Sequence, residues 1–523
     1  ATIDSLVVRP VTADRVNAAA APDSDRHDSV FRLDWEQLPL GSASAAGQPR
    51  TAVLTTAGDA PHHAGAEPRT YPDASALATA DGPAPEVVLL PVAPGDDADV
   101  PTAVRTTAGA VLEAIRGWLA EPALAASRLV VLTHRALDVV EGDTVDLAQA
   151  PVWGLVRSAQ EENPGRILLV DTDGTPNTTG ALTALLASAE PEAALRGSQV
   201  LVPRLARAGG TAERPAPWNA DGTVLVTGGT SGLGALVARH LVTEHGVRHL
   251  LLTSRRGLDA PGAEALRDEL AELGADVAVA ACDVSDRDAL ATLLTGIPEA
   301  HPLRAVVHAA GIMDNALVEA LTQQQLDGVL RPKADAAWHL HELTAGIDLD
   351  AFVLFSSCAG LLVGAGQGNY ATANRFLDVL AQHRRAAGLP ATSLAFGLWT
   401  ARTGLGGGVT DSDLRQMSRL GMPALSEKEG LALFDDALAI GDAVAPEHGL
   451  SICSGYDDSY HLTPARLVRQ ISGSPCIEGE TWGQARNGVW VTRGCRAEFI
   501  AERGRPSHGG GHWNGGGGWK TMM

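Results

Sequence analysis

The stretch Val224–Gly234, VLVTGGTSGLG, joins an apolar, strand-like run to a glycine-rich turn, and the helical pattern ALVARHL follows it directly. Small residues let the backbone turn tightly and approach a pyrophosphate, while the next helix presents free N–H groups and the positive end of its dipole. Gly228, Gly232 and Gly234 are the residues that this geometry needs. The stretch therefore predicts a dinucleotide-binding turn, with a tight turn that binds nothing as the alternative.

Apolar runs separated by helical patterns surround this turn in the second half of the chain. In order they are VLVTGG, HLLLTSR, ADVAVAACDV, AVVHAAG, AFVLFSS and ATSLAFG. Six such runs with helices between them predict a doubly wound parallel sheet. We assign residues 216–445 to this sheet and its helices, as the subdomain that binds the dinucleotide.

A similar pattern occupies the first half, ahead of a Pro/Gly/Ala-rich stretch at residues 206–222. The runs VVLLPV, LVVLTH, ILLVDT and VLVPRL alternate with Ala/Leu-rich helical stretches, and FRLDWEQL reads as a returning strand. The loops after these runs lack a glycine fingerprint, so residues 31–215 are predicted to be structural. The predicted fold class is α/β, with two Rossmann-like, doubly wound parallel sheets.

Size and charge exclude several classes of function. The 523 residues exceed what one hydrophobic core usually holds, and 45% of them are hydrophobic. A net charge of −22 would repel nucleic acid and anionic membranes, so we expect neither as a partner. The sequence has no apolar run long enough to span a membrane, and its start lacks the layout of a signal peptide. We therefore expect a cytoplasmic protein.

Residues 446–523 differ in composition from the Ala/Leu-rich body of the chain. They carry Cys453, Cys476 and Cys495 and end close to HGGGHWNGGGGWK. An odd number of cysteines argues against a closed set of disulfides, and no metal site is predicted. This small C-terminal segment faintly resembles cysteine- and tryptophan-bearing bacterial domains of unknown function, and it stays otherwise unassigned.

The choice of cofactor is predicted from the strand that follows the glycine turn. That strand ends in Ser254, Arg255 and Arg256, where an NAD-preferring site would carry an acidic residue for the ribose 2′-hydroxyl. A pair of guanidinium groups suits a 2′-phosphate, so the sequence favours NADPH over NADH. Two solvated arginines at a strand end are the alternative. Asp283, after the next strand, could accept from the adenine amino group or cap the following helix.

Ketone reduction needs a hydride donor, a proton donor for the incipient alkoxide and a group that holds the carbonyl oxygen. Tyr370 and Ser357, thirteen residues before it, fit the last two roles. Because the pKa of a free tyrosine is about 10, we expect a neighbouring cation that lowers it. The usual short-chain reductase supplies a lysine four residues after the tyrosine, whereas this chain has Asn374 there. Lys333 is the best replacement.

Lys333, Ser357, Tyr370 and Asn374 in this arrangement resemble the ketoreductase domains of modular polyketide synthases, of the short-chain dehydrogenase/reductase superfamily. The G-x-x-x-G-x-G spacing of the glycine turn is of the short-chain type. The segments HAAGIMDNALVEALT, RPKADAAWHLHELT, LFSSCAGLLVGAGQGNYATAN and AFGLW carry the same likeness. The resemblance covers roughly residues 30–440, and it implies that the first half is a truncated, catalytically silent subdomain.

The resemblance implies NADPH-dependent reduction of a β-ketoacyl chain, carried as a phosphopantetheine thioester on an acyl carrier protein, to a β-hydroxyacyl thioester. Tyr370 would be the acid and Ser357 would polarise the carbonyl. Lys333 would lower the tyrosine pKa and hold the nicotinamide ribose, and Asn374 would complete a hydrogen-bond relay. The predicted cofactor contacts are Gly228, Thr230, Ser231, Gly232, Leu233, Gly234, Ser254, Arg255, Arg256, Asp283, Val284, Ala310, Gly311, Lys333 and Tyr370.

The start of the chain also has an implied identity, since residues 1–30 are similar to the end of a dehydratase domain and its linker. Neighbouring synthase domains are therefore expected as partners. A redox-silent member, kept as a structural or epimerising scaffold, is the alternative function. The intact Lys-Ser-Tyr-Asn set and the glycine turn argue against it.

The stereochemical type is predicted from two substrate-side segments. B-type enzymes have Leu-Asp-Asp in the first, where this chain reads Met-Asp-Asn, and a proline and an asparagine near the tyrosine, of which only the asparagine is kept. The tryptophan of A-type enzymes is a leucine here. The pattern favours B type and a 3R hydroxyl, and a lid is predicted at Thr400–Met422. The substrate-side candidates are Met313, Asp314, Asn315, Leu362, Ala365, Asn369 and Met417.

Overall fold

The computed structural model of the protein describes most of the two predicted α/β halves. The described residues are 30–38, 49–55, 69–93, 99–140, 143–175, 178–186, 188, 190–207, 217–361, 364–400 and 424–440, with short strands between residues 450 and 500. The dehydratase-like start, the predicted lid after Thr400, and the candidates Leu362 and Met417 lie outside the described residues.

Strands and helices alternate along the first half, as its βαβ pattern predicts. The elements are β1 (Phe31–Gln37), β2 (Thr51–Leu54), β3 (Arg69–Tyr71), α1 (Ala74–Ala78), β4 (Val87–Pro91), α2 (Val100–Leu119), β5 (Arg128–His134), α3 (Val152–Glu162), β6 (Ile167–Thr172), α4 (Thr178–Leu186), β7 (Glu192–Arg196) and β8 (Gln199–Arg207). Strands β2 to β7 pair in parallel, whereas β8 and β1 pair antiparallel. The returning strand FRLDWEQ is β1.

The second half forms the doubly wound sheet that its six apolar runs predict. The elements are β9 (Thr223–Thr227), α5 (Gly232–Thr243), β10 (His249–Ser254), α6 (Ala263–Glu272), β11 (Asp276–Ala281), α7 (Arg287–Thr295), β12 (Leu303–His308), α8 (Gln323–Leu330), α9 (Ala336–Thr344), β13 (Ala351–Ser357), α10 (Gly368–Ala386), β14 (Thr392–Phe396) and α11 (Glu427–Ile440). All six strands run parallel in the order β11-β10-β9-β12-β13-β14. The chain reverses its winding beside β9, so the glycine turn lies at the carboxyl edge where such sheets bind ligands.

Local sequence explains where these elements begin. All five residues of β9 are buried, as expected for a parallel strand that is covered on both faces. Helix α8 begins with a reciprocal capping box between Thr322 and Gln325, and Asp99 caps α2 by accepting from the Thr102 amide. Among the helices described here, none is both long and apolar enough to cross a membrane.

Helix α3 of the first half packs directly against α10, the helix that carries Tyr370. At Gly154 a Cβ atom would lie 2.3 Å from the carbonyl oxygen of Ala371, so the two backbones touch where α3 has no side chain. Gly368 at the start of α10 faces Leu155 in the same way, with 3.0 Å from an added Cβ to Leu155 Cδ1. One apolar core therefore continues from the first half into the second half.

Replacing Gly154 by alanine is expected to lower the free energy of unfolding by about 1–3 kcal/mol, because the added methyl forces α3 away from α10. Gly117→Ala is the matched control, since an added Cβ at that helical glycine meets nothing within 4 Å. This control should be neutral or stabilising by up to about 1 kcal/mol. Urea denaturation measures both, and equal stability of the two variants would contradict the close approach.

The last described segments form two separate groups. Strand β15 (Leu450–Ser451) pairs antiparallel with Arg32 and Phe31 of β1, which makes the first sheet nine-stranded, in the order β15-β1-β8-β7-β6-β5-β4-β2-β3. The beginning of the predicted tail segment thus belongs to the first sheet. A second unit includes residues from Tyr456 onward, with β16 (Arg466–Gln470) pairing β19 (Ala497–Ile500) and β17 (Trp482–Ala485) pairing β18 (Gly488–Val491), both antiparallel.

Candidate active site

The glycine turn between β9 and α5 forms a cradle that only small residues allow. Gly228 has a φ of +66°, and a Cβ there would lie 3.0 Å from Cα of Ala310 at the end of the neighbouring strand. A Cβ at Gly234 would meet the carbonyl oxygen of Gly228. Two loops, one after β9 and one after β12, therefore approach each other at this edge, and the cofactor candidates Ala310 and Gly311 lie beside the turn.

The polar groups around this cradle fit a phosphorylated dinucleotide. Ser231, the N-cap residue of α5, makes no capping bond through its side chain, so the first amides of the helix have no side-chain acceptor at that cap. The Ser254 hydroxyl is buried and has no hydrogen-bond partner among the described residues. Arg255 and Arg256 follow it with exposed side chains. Together these residues could hold a pyrophosphate and an adenosine ribose.

Asp283 does not cap the helix that follows it, so that sequence-based alternative is wrong. Its Oδ1 atom accepts hydrogen bonds from the backbone amide and the hydroxyl of Ser285, at 3.1 and 2.7 Å. Helix α7 is capped instead by Asp286. These bonds use Oδ1 alone, so Oδ2 of Asp283 could still accept from the adenine amino group. The neighbouring cofactor candidate Val284 is buried.

Lys333 lies in a π-helical turn, Arg331–Asp335, between α8 and α9 rather than in a regular helix. Such turns are rare and frequently occur at functional sites. The Lys333 side chain is 3% exposed, and its Nζ donates to the Phe355 carbonyl of β13 at 2.5 Å. Burial lowers the pKa of Lys333 to about 7, while the Asp378 carboxylate acts in the opposite direction. A lysine with this pKa is partly protonated and partly neutral near pH 7.

Tyr370, Ser357 and Asn374 meet next to this lysine. Nζ of Lys333 is 5.5 Å from the centroid of the Tyr370 ring, and Asn374 Nδ2 donates to the Tyr370 backbone carbonyl at 2.7 Å. Ser357 ends β13, and its Oγ accepts from the Ala359 amide at 3.3 Å. Asn374 is fully buried, and its Oδ1 has no partner within the described parts of the chain. The structure therefore brings all four predicted catalytic residues together.

The direction of the Tyr370 pKa differs from the sequence-based expectation. Burial raises the pKa of Tyr370, while the Asn374 and Ser357 side chains act in the opposite direction. The Lys333 ammonium lies over the face of the ring and donates to the Phe355 carbonyl, and the effect of burial on the tyrosine prevails. The tyrosine is accordingly protonated at neutral pH, which is the form that an acid requires.

The substrate-side candidates flank the tyrosine on two loops. Met313, Asp314 and Asn315 are exposed after β12, and Ala365 is exposed before α10. Buried Asn369 joins the loops, because its Nδ2 donates to the Asp314 carbonyl at 2.7 Å while its Oδ1 accepts from the Tyr370 amide at 2.8 Å. The asparagine that the sequence singled out thus connects the first loop to the helix that carries Tyr370.

Two further residues support the site and were not predicted from the sequence. His308, at the end of β12, donates from Nε2 to the Lys333 carbonyl at 3.0 Å, and its Nδ1 accepts from the Thr227 hydroxyl at 2.7 Å. Burial, followed by the Lys333 charge, lowers the pKa of His308 to about 3, so the imidazole is neutral. Gln325 donates to the Asp314 carboxylate at 3.1 Å. Of these two residues, only His308 lies in a segment that carried the family resemblance, HAAGIMDNALVEALT.

A group of His240, His245 and Asp435 lies at the other end of α5 from the glycine turn. Each Nε2 approaches a different oxygen of Asp435, at 2.8 and 2.7 Å. Burial alone would raise the pKa of Asp435, but hydrogen bonds from the two imidazoles lower it below its ordinary value. These residue types can bind zinc, yet hydrogen bonds already account for both distances. The group joins α5 to α11.

Comparison with protein-family models finds one match in each α/β half and one in the C-terminal segment. A KR domain model matches residues 222–401, and a model for the Rossmann fold domain of the polyketide synthase extender module SpnB matches residues 33–205. Residues 455–512 match DUF3011, a protein family of unknown function.

Solved structures share this architecture over most of their length. An A-type ketoreductase from a modular polyketide synthase is 36% identical, with a TM-score of 0.68 over 83% of this chain and 94% of that one. A C2-type ketoreductase is 33% identical, with a TM-score of 0.69 over 82% of this chain and 95% of that one. The chain belongs to the ketoreductase domains of modular polyketide synthases, in the short-chain dehydrogenase/reductase superfamily.

Polyketide synthase GfsA of Streptomyces halstedii is 46% identical over 447 residues, which is 85% of this chain. The aligned region is only 6% of GfsA, and for GfsB of the same organism the corresponding share is 8%. The chain therefore spans a small fraction of the length of the curated relatives that it matches.

Proposed function

We propose that the protein reduces the β-keto group of an acyl thioester, held on an acyl carrier protein, to a β-hydroxyl group during polyketide synthesis, with NADPH as the reductant. The observation that supports this most directly is the meeting of Lys333, Ser357, Tyr370 and Asn374 at the carboxyl edge of the second sheet. The proposal also includes neighbouring synthase domains as partners, with a dehydratase upstream, and a cytoplasmic location.

In the proposed mechanism bound NADPH would supply the hydride, and the side chains of this chain would bind and protonate the substrate oxygen. The Tyr370 hydroxyl donates its proton to that oxygen as the carbonyl carbon is reduced, and the Ser357 hydroxyl donates a hydrogen bond to the same atom. The Lys333 ammonium stabilises the developing negative charge and holds the nicotinamide ribose. Asn374 fixes the first turn of α10 and offers its unpartnered Oδ1 to the proton relay.

B-type reduction, which gives a 3R hydroxyl, is part of the proposal. It is supported by Asn369, which binds the main chain of the loop that carries Asp314. That bond holds the loop beside Tyr370, where it can restrict which face of the ketone is presented. The two solved relatives described above are named A-type and C2-type, so the stereochemistry of this chain needs its own measurement.

The preference for NADPH is tested by replacing Arg255 and Arg256 together with alanine. Because two guanidinium groups would bind the 2′-phosphate, KM for NADPH should rise roughly 10- to 100-fold while KM for NADH stays within about two-fold. Arg267→Ala is the matched control, as this half-exposed arginine pairs with Asp268 on α6. Steady-state kinetics with both nucleotides measures the effect, and an equal change for NADH would contradict a 2′-phosphate site.

The function itself is tested with the purified chain, NADPH and a β-keto diketide thioester. We expect loss of NADPH absorbance, together with formation of one β-hydroxy thioester that chiral chromatography identifies as 3R. A 3S product would reject B type and keep the reductase. Binding of NADPH without turnover would favour the redox-silent scaffold, and absence of binding would reject the cofactor assignment.

A further inference from the structure

Glu162, the last residue of α3, reaches out of the structural half and binds two loops of the catalytic half. Its Oε2 accepts a hydrogen bond from the Val318 amide at 2.7 Å, and its Oε1 accepts from the Gly366 amide at 2.8 Å. Neither sequence nor fold class predicted this contact. One carboxylate thus connects two segments that lie 48 residues apart in the sequence.

The two bound loops are the ones that frame the predicted substrate site. Val318 follows the segment Met313–Asn315, and Gly366 precedes Tyr370 by four residues. An isolated parallel bridge between Ala316 and Gln367 joins the same two loops directly. Glu162 therefore holds the pair of loops from outside.

The neighbouring residues of α3 extend this attachment along the loop before α10. Arg157 donates to the Gly360 carbonyl at 3.1 Å, and the Ser158 hydroxyl donates to the Gly364 carbonyl. Because α3 already lies against α10 at Gly154, this helix is anchored to the catalytic half along its length. The carboxylate at its end is consequently held against the loop that leads into α10.

Charge explains why a carboxylate is suited to this position. Hydrogen bonds from backbone amides to an ionised carboxylate are roughly twice as strong as neutral ones. Within the described residues Glu162 forms no ion pair, and its carboxylate accepts from the two amides and, at 3.3 Å, from the Ser158 hydroxyl. The loop that it holds presents Leu317, which is 59% exposed, and Met313, which is 36% exposed. Exposed apolar side chains on a loop that Asn369 joins to the Tyr370 amide are suited to contact an acyl chain.

We propose that Glu162 is a positioning residue for keto reduction: it fixes the 313–318 and 364–367 loops relative to Tyr370 and thereby sets turnover and the face of the ketone that is reduced. The inference rests on the proposed function and deepens it. It assigns the catalytically silent half of the chain a direct part in selectivity. Misplacing a substrate by about 1 Å can cost about 100-fold in rate, so a loosened loop pair should be measurable.

The test is Glu162→Gln, which preserves shape but replaces one accepting oxygen with an N–H₂ group that faces a backbone N–H. We expect kcat/KM for the diketide thioester to fall roughly 10- to 100-fold and the 3R:3S ratio of the product to erode. The Kd for NADPH should stay within about two-fold, because Glu162 bonds to no predicted cofactor residue. Glu190→Gln is the matched control, since Glu190 pairs with Arg204 inside the first half.

Hydrogen exchange separates positioning from general stability. Faster exchange at Val318 and Gly366 in Glu162→Gln, with unchanged exchange over Gly228–Gly234 and in Glu190→Gln, is the expected pattern. An unchanged product ratio and kcat/KM would overturn the inference, as would a loss of activity that only follows a fall in Tm. If the wild type gives no product at all, the proposed function fails. If the wild type reduces the substrate and Glu162→Gln does so equally well, only the inference about Glu162 is rejected.

Discussion

Tyr370→Phe is expected to lower kcat/KM for keto reduction by about 10²- to 10⁴-fold, the range that a positioned general acid contributes. The phenyl ring keeps the packing against Lys333, while the proton for the substrate oxygen is lost. Since burial raises the pKa of Tyr370, the wild-type hydroxyl remains protonated throughout the neutral range. The variant should therefore be slow at every pH between about 6 and 9, with no rescue at low pH.

The control is Tyr71→Phe, which removes a hydroxyl from the short strand β3 of the structural half. It should retain wild-type turnover. NADPH binding, followed by fluorescence, should survive in both variants, because the phosphate cradle is formed by Gly228 and its neighbours. A Tyr370→Phe enzyme that keeps more than about a tenth of the wild-type kcat/KM would assign the proton donor to another group.

The repeating apolar runs predicted most of the fold, because a strand that is covered on both faces must be apolar along its whole length. All six strands of the second sheet follow those runs, and the glycine turn lies after β9 as predicted. The short pairing of Leu450–Ser451 with β1 was not predicted. Two residues give no periodicity, and their place in the sheet depends on a partner more than 400 residues away.

The candidate catalytic residues were predicted by type and spacing, but their environment was not. Lys333 was singled out by its type alone, and nothing in the sequence indicated the π-helical turn that holds it or the bond from His308 to its carbonyl. The sign of the Tyr370 pKa shift depends on how deeply the ring is buried, and spacing carries no information about that. Glu162 was missed for a related reason, since its partners are backbone amides whose positions depend on tertiary packing.

Lys333→Met is expected to cause the second-largest loss of activity among these variants, and at the same time to raise the stability of the protein. Removing a cation that stabilises the developing oxyanion should lower kcat/KM by roughly 10²- to 10³-fold. Methionine fills a similar volume without a charge, so the variant avoids the cost of burying an ammonium group. The matched control is Lys428→Met on α11, where the lysine is exposed and both quantities should stay unchanged.

The stability of the wild type should depend on pH, whereas a mere change of packing at this position would alter stability equally at every pH. The pKa of Lys333 is lowered from 10.5 to about 7 in the folded protein, so between these pH values the unfolded chain binds one more proton than the folded chain. The wild type should therefore gain stability as the pH rises from 7 towards 10.5, and lose it again on acidification. Below pH 7 the full cost of burial applies, on the order of 5 kcal/mol.

Lys333→Met should accordingly be more stable than wild type at pH 7, by up to a few kcal/mol, and the difference should shrink steadily towards pH 9.5. Urea denaturation at several pH values, without added nucleotide, measures it. A pH-independent difference would mean that the pKa of Lys333 is not lowered in the folded protein, so that its ammonium group is paired more strongly than its bond to Phe355 suggests. Loss of activity together with a gain in stability would show that the protein retains a buried lysine at a cost in stability because the reaction requires its charge.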